Sequence, residues 1–220
     1  MTEVAEAAAW TGSDDPFGAA IRAGRGPLWL REEDGRRHPL EVERWCGPAD
    51  AADRRMLRRC AGPVLDVGCG PGRLVAELLD RGVPALGVDL AEASVRRTRG
   101  LGAAAVCRSV FAPLPGEGRW RTVLLADGNL GIGGDPARLF ARVARLLAPG
   151  GLLLVEVEPA DLDERIMVRV EDVQGRQGVP FEWARLGAAA AARHAGQAGF
   201  TLRERWDERG RSFVALRAGH

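Results

Sequence analysis

The residues of this chain whose types and spacing could do chemistry gather first in VLDVGCGPGRL, residues 64–74. Gly68, Gly70 and Gly72 follow a short apolar run and precede a helical pattern, the setting in which a glycine loop lets a ligand lie against main-chain atoms. The spacing is G-x-G-x-G. A dinucleotide loop has G-x-G-x-x-G, and here Arg73 stands at its last glycine position. Asp66 stands where nicotinamide enzymes usually carry an apolar residue. The pattern suits a nucleoside ligand without a pyrophosphate. An ammonium on that ligand needs an oxygen acceptor, which the Gly68 carbonyl or Asp66 supplies; Asp66 equally suits a purely structural role. Asp89 ends the next apolar run 17 residues beyond Gly72, about the spacing at which an acid reads a ribose, and Leu90 follows it. Cys69, inside the loop, reads as a small space-filler beside the ligand.

A second cluster is Asp127-Gly128-Asn129, after the strongly apolar TVLLA run. It is good turn chemistry, and it also falls at the strand end where open α/β sheets bind ligands. The sequence designates no base; Asp127 and His38 are the first candidate proton acceptors, and His38 reads also as an ordinary exposed histidine. Trp29, Phe181 and Trp183 are the candidates to line a substrate pocket. The four cysteines, Cys46, Cys60, Cys69 and Cys107, have no zinc spacing, so no metal site is expected. The chain has no lysine, which excludes Schiff-base chemistry.

The elements that must position these residues alternate in type. VLDVG (64–68), ALGVD (85–89), AAAVC (103–107), TVLLAD (122–127) and GLLLVEVE (151–158) read as strands. Helical patterns lie between them over 73–81 and 92–100, with a third opened by Asp135 as cap and Pro136 at its first position. This alternation predicts a Rossmann-like, doubly wound, mostly parallel α/β sheet. An Ala-rich helix, then FTLRERW and SFVALRA around a polar turn, predict a closing antiparallel pair. Two further hairpins are expected, one at 27–42 around Asp34-Gly35 and one at 166–186. Residues 1–15 read as a tail, 16–24 as a helix ending at Gly24, and Asp50 as the cap of a helix running to Cys60. The expected organisation is a tail, hairpin and helix over 1–62 acting as a cap, and a binding domain over 63–220 that carries the 166–186 insertion.

A hydrophobic fraction of 46% and a formal net charge of +1 fit a globular domain without a nucleic-acid footprint. No run is apolar enough for a bilayer span and the first residues lack a secretory pattern, so a cytoplasmic protein with no membrane partner is expected. Oligomeric state is not legible.

LDVGCGPG, GVD, LLAD and LLAPGGLLLVE, in that order over residues 60–158, resemble the successive motifs of class I S-adenosylmethionine (SAM) dependent methyltransferases. ERW (43–45) and ADGNLGIGGDP (126–136) are similar to segments of a bacterial type-11-like subgroup. The resemblance implies a seven-stranded sheet with an antiparallel last strand, and SAM as cofactor. It also implies methyl transfer to a small-molecule acceptor by in-line displacement. The reacting face then needs a cover that the central fold does not supply, so the two hairpins are expected to pack over it, the alternative being that they extend the sheet or brace the core from behind. It places Ser109 and Val110 beside the adenine, although many relatives carry Asp where Ser109 stands, and Arg44 over the cofactor as a clamp for its carboxylate. Cofactor contacts are further implied for Asp127, Gly128 and Asn129. SAM-dependent chemistry other than methyl transfer, and a non-catalytic SAM-binding protein, remain the alternatives. A nucleic-acid methyltransferase is disfavoured, because the loop after the fourth strand lacks the Asn/Asp-Pro-Pro-aromatic pattern.

Overall fold

A computed structural model of the chain describes residues 15–219. The tail expected over 1–15 lies outside them save for Asp15, and so does His220. Asp15 caps α1 (Pro16–Ala23): its side chain accepts from the Phe17 and Gly18 amides, and Pro16 needs no partner at the first turn. Then follow β1 (Leu28–Glu32), β2 (Arg37–Leu40), the short α2 (Val42–Cys46), which the sequence reading lacked, and α3 (Ala51–Leu57). Asp50 and Asp53 form a reciprocal capping box on α3. The helix stops short of Cys60 because the Arg59 and Cys60 amides turn back to the Met56 and Leu57 carbonyls.

The alternating region gives β3 (Val64–Val67), α4 (Arg73–Asp80), β4 (Ala85–Asp89), α5 (Glu92–Gly100), β5 (Ala105–Cys107) and β6 (Trp120–Leu125). A 3-10 segment (Asn129–Gly134), α6 (Pro136–Leu146) and β7 (Leu147–Val157) complete it. After β8 (Asp163–Asp172) and β9 (Phe181–Leu186) come α7 (Ala188–Gln197), β10 (Phe200–Glu208) and β11 (Arg211–Ala218). The main sheet has seven strands in the order β10-β11-β7-β6-β3-β4-β5. β3, β4, β5, β6 and β7 are parallel, and β11 runs antiparallel to β7. β3 is buried along its whole length, as a strand covered on both faces must be. Its alternation divides the core. Leu65 and Val67 pack with α6 residues Leu139, Phe140 and Val143 on one side, and Val64 packs with Leu74, Leu78 and Met56 on the other. Among the described residues no helix is long and apolar enough to cross a membrane.

The two expected hairpins are not separate. β1 pairs antiparallel with β8, so β2-β1-β8-β9 form one four-stranded sheet assembled from chain segments some 140 residues apart. Its inner face carries Leu28, Leu30, Val168, Val170 and Phe181, packed on Phe17 and Ile21 of α1. β9 rests on the 3-10 segment after β6, and there the approach is close. A Cβ on Gly131 would lie 2.3 Å from the Trp183 ring and 2.5 Å from the Ala184 carbonyl oxygen.

That contact docks the small sheet on the large one. Gly131→Ala is therefore expected to cost about 1–3 kcal/mol through overpacking, lowering the melting temperature by roughly 3–9 °C. Thermal unfolding followed by circular dichroism checks this; an unchanged midpoint would mean the small sheet yields freely.

Candidate active site

The carboxyl ends of β3, β4 and β6 meet the small sheet around a cavity. It is walled by Asp66, Gly68, Cys69 and Gly70 from the glycine loop, Asp89 and Leu90 from the end of β4, Ser109 and Val110 after β5, and Asp127 and Asn129 after β6. Phe17, Leu30, Leu40, Trp45 and Trp183 close it from the other side. A second cavity, of about 360 Å³, adjoins it and shares Leu30, Leu40, Trp45, Asp127 and Trp183 as walls. His38, Arg44, Gly128, Glu156, Arg185 and Arg211 add its polar lining.

The loop is held open by specific bonds. The Gly70 amide donates to Asp89 Oδ2 and the Ala91 amide to Asp89 Oδ1, both at 2.8 Å. Each oxygen keeps a second lone pair for a ligand hydroxyl. Burial pushes the Asp89 carboxyl up to about 6 despite these bonds. Asn129 Nδ2 donates to the Gly68 carbonyl at 2.8 Å, and a Cβ on Gly68 would sit 2.5 Å from that amide. Gly68 also has a φ of +72°. Gly72 does not touch the cavity; it leads into α4 and lies against Thr98. Cys69 is buried and its thiol is pushed well up by that burial, which fits a space-filler.

Asp66 is 1% exposed, and its Oδ2 has no hydrogen-bond partner. Burial first, and then the charge of Asp127, push its carboxyl up to about 8. Around it runs an ionic web. Arg73, buried at the start of α4, bonds Asp53 of α3 and, at 2.5 Å, Asp127. Asp127 also pairs with Arg44 at 2.8 Å and Arg211 at 3.5 Å, and its own amide donates to Glu156 Oε2. Arg211 returns to Glu156, Asp50 and Asp53. Counting Glu41 on Arg44, three guanidiniums meet five carboxylates here, Asp66 apart. The surplus is negative, and an orphaned acid oxygen borders the cavity, so the place favours a cation.

Several expectations change. Asp127 has its lone pairs engaged by guanidiniums from three elements, so it is a structural anchor and not a free proton acceptor. Arg44 lines the second cavity and not the first, and it is tied to Asp127 and Glu41; its Nη1 alone is buried without a partner. Trp29 lies on the opposite face of β1 from Leu28 and Leu30, beneath the Arg37 guanidinium, so Leu30 takes the place at the cavity expected for it. Phe181 is 1% exposed in the core of the small sheet and lines neither of these cavities. It supports Trp183 edge-on, ring centroids 5.9 Å apart. Trp183 lines both cavities. Sequence reasoning missed Trp45, Leu40, Arg211 and Glu156. Trp45 was within reach, since it ends ERW. Arg211 was not, because its partners are scattered over the whole chain.

Residues 64–151 match the family model described as a methyltransferase domain. The matched segment holds the glycine loop, Asp89 and Asp127, which wall the first cavity. No curated protein matches it. Among solved structures, it is similar to a SAM-dependent methyltransferase from Bacteroides fragilis in complex with S-adenosyl-L-homocysteine. The TM-score is 0.79 and the identity 22%, over 94% of this chain and 95% of that one. A 1,6-didemethyltoxoflavin-N1-methyltransferase from Burkholderia thailandensis aligns with a TM-score of 0.57 and 21% identity over 77% of each chain. The sugar N-methyltransferase KedS8 from Streptoalloteichus aligns with a TM-score of 0.57 and 19% identity, over 76% of this chain and 85% of that one. The methyltransferase fold thus extends beyond the matched segment to nearly the full described chain.

The Asp66 carboxyl sets a pH dependence of its own. Its folded value of about 8 exceeds the unfolded value of about 3.9. The folded state therefore holds a proton that the unfolded state has lost, and stability from this group falls as pH rises from ~4 to ~8. Asp66→Asn should remove that slope. Comparing wild-type and variant melting temperatures from pH 5 to pH 8, the variant should gain on the wild type as pH rises; parallel curves would show Asp66 ionised throughout.

Proposed function

We propose that this protein transfers the methyl group of SAM to a small-molecule acceptor held in the second cavity. The observation that carries this reading is the shared wall: the cavity built by the glycine loop, Asp66 and Asp89 adjoins a second, separately lined cavity beneath the small sheet. SAM supplies a methyl group on a sulfonium, whose departure leaves a neutral thioether and needs no acid.

The residues fit such a ligand. Asp89 can receive the ribose hydroxyls on its remaining lone pairs. The orphaned Asp66 Oδ2 and the Gly68 carbonyl can receive an ammonium. Leu90, Ser109 and Val110 border the same cavity and suit the adenine. The chain's own contribution to rate is alignment of the two reactants and exclusion of water. Leu30, Leu40, Trp45 and Trp183 make the shared wall largely apolar, and roofing by the small sheet favours a small acceptor over a polymer. N-methylation is the activity named for two of the similar structures, and an acceptor nitrogen is within this reading.

The test is incubation with deuteromethyl SAM and a small-molecule extract, followed by mass spectrometry. A product heavier by one deuterated methyl, formed in step with S-adenosylhomocysteine, is expected. Trp183→Ala should weaken acceptor use at least ~10-fold and more than it weakens SAM affinity, since the ring walls both cavities. SAM bound but never consumed would overturn the reading.

A further inference from the structure

The second cavity contains five side chains that could take a proton: His38, Glu41, Asp127, Glu156 and Glu158. Four are carboxylates already paired with guanidiniums: Glu41 with Arg44, Asp127 with Arg44, Arg73 and Arg211, Glu156 with Arg211, and Glu158 with Arg185. His38 differs. Its Nε2 lies 2.7 Å from Glu32 Oε1, its Nδ1 has no protein hydrogen bond, and the residue lines the cavity. Glu32 is itself 7% exposed, and its other oxygen is fixed by Arg36 at 2.8 Å. A carboxylate can only accept, so Glu32 holds the imidazole with its proton on Nε2 and its lone pair on Nδ1. The strand pairing Leu30↔His38 puts the ring beside a residue that lines both cavities.

We propose that His38 is the proton acceptor of the transfer, that Glu32 is its positioning residue, and that the acceptor molecule presents an N–H or O–H group. This rests on the methyl-transfer reading above. As the acceptor's nitrogen or oxygen bonds to the methyl carbon, the carbon–sulfur bond breaks with its electron pair kept on sulfur. The acceptor's proton passes to His38 Nδ1, and the imidazolium so formed is stabilised by Glu32 before it returns the proton to water. Other charges face the ring. Asp34 and Arg36 lie at the turn of its own hairpin. Arg185 comes from β9, with Glu164 of β8 and Glu158 paired to it, and Glu41 and Arg44 lie across the cavity. Each of these carboxylates and guanidiniums is in an ion pair, so the imidazole is the group left to exchange protons with the acceptor.

Two measurements test this. The first needs no turnover: ¹⁵N spectra of the histidine-labelled protein at high pH should show His38 as the Nε2–H tautomer, and Glu32→Ala should release it to a mixture. An Nδ1–H tautomer in the wild type would overturn the proposal. The second compares deuteromethyl incorporation from the same extract by wild type, His38→Gln and His38→Ala at pH 5.5–9. His38→Gln should lose at least ~100-fold in kcat, with S-adenosylhomocysteine affinity and melting temperature unchanged and the acid limb of the profile gone. Added imidazole should partly restore His38→Ala. An undiminished kcat in His38→Gln, or a product methylated on an atom that bore no proton, would remove His38 and leave methyl transfer standing. No labelled product from wild type, with SAM intact, would remove the methyl-transfer reading and this proposal with it.

Discussion

The rest of the structure depends on the burial of Arg73. A guanidinium 4% exposed must find anionic partners or it will not stay buried, and Arg73 finds Asp53 on α3 and Asp127 after β6. Through Asp127 the same charge is joined to Arg44 on α2 and Arg211 on β11, and through Arg211 to Glu156 on β7. Elements far apart in sequence therefore have to converge on one point, the carboxyl ends of the parallel strands. Arg73 stands where a dinucleotide loop would carry its last glycine. The loop has given up that close helix–strand approach for a fixed charge, which borders the first cavity and fixes Asp127, a wall of both.

The web also explains the unusual state of Asp66. Carboxylates outnumber guanidiniums in the web, and Asp66 sits beside it out of water, so its proton is retained until about pH 8. A ligand cation at the Asp66 oxygen would meet both a partnerless acceptor and the local surplus of negative charge. The site is prepared for the ammonium end of an amino-acid-bearing nucleoside, while Asp89, fixed by two backbone amides, is prepared for its ribose.

Local chemistry in the sequence was enough for much of this. Caps at Asp50 and Asp135, the left-handed Gly24 and the apolar runs of β3, β4 and β6 act within a few residues, and each appears where its local signal placed it. The order of the glycine loop, Asp89 and the Asp127 turn likewise follows from strand-and-helix alternation. What was not legible is pairing at a distance. Nothing local says that β1 joins β8, so two hairpins were expected where one sheet exists. The faces of that sheet followed from the merger: Leu28 and Leu30 turn inward as a pair, which sends Trp29 outward, and Val168 opposite Phe181 draws that ring into the core. The ionic web was hidden for the same reason, since Asp53, Arg73, Asp127, Glu156 and Arg211 are near only once folded.

The central claim is that the glycine-loop cavity and the cavity under the small sheet form one reaction chamber, with the cofactor's sulfur at their shared wall. A crystal structure of the S-adenosylhomocysteine complex tests it most directly. The account predicts both ribose hydroxyls within hydrogen-bond distance of Asp89, the amino group at Asp66 or the Gly68 carbonyl, and the sulfur facing the second cavity between Leu30, Trp45 and Trp183. A nucleoside seated away from Asp89, or a sulfur turned away from that wall, would contradict it.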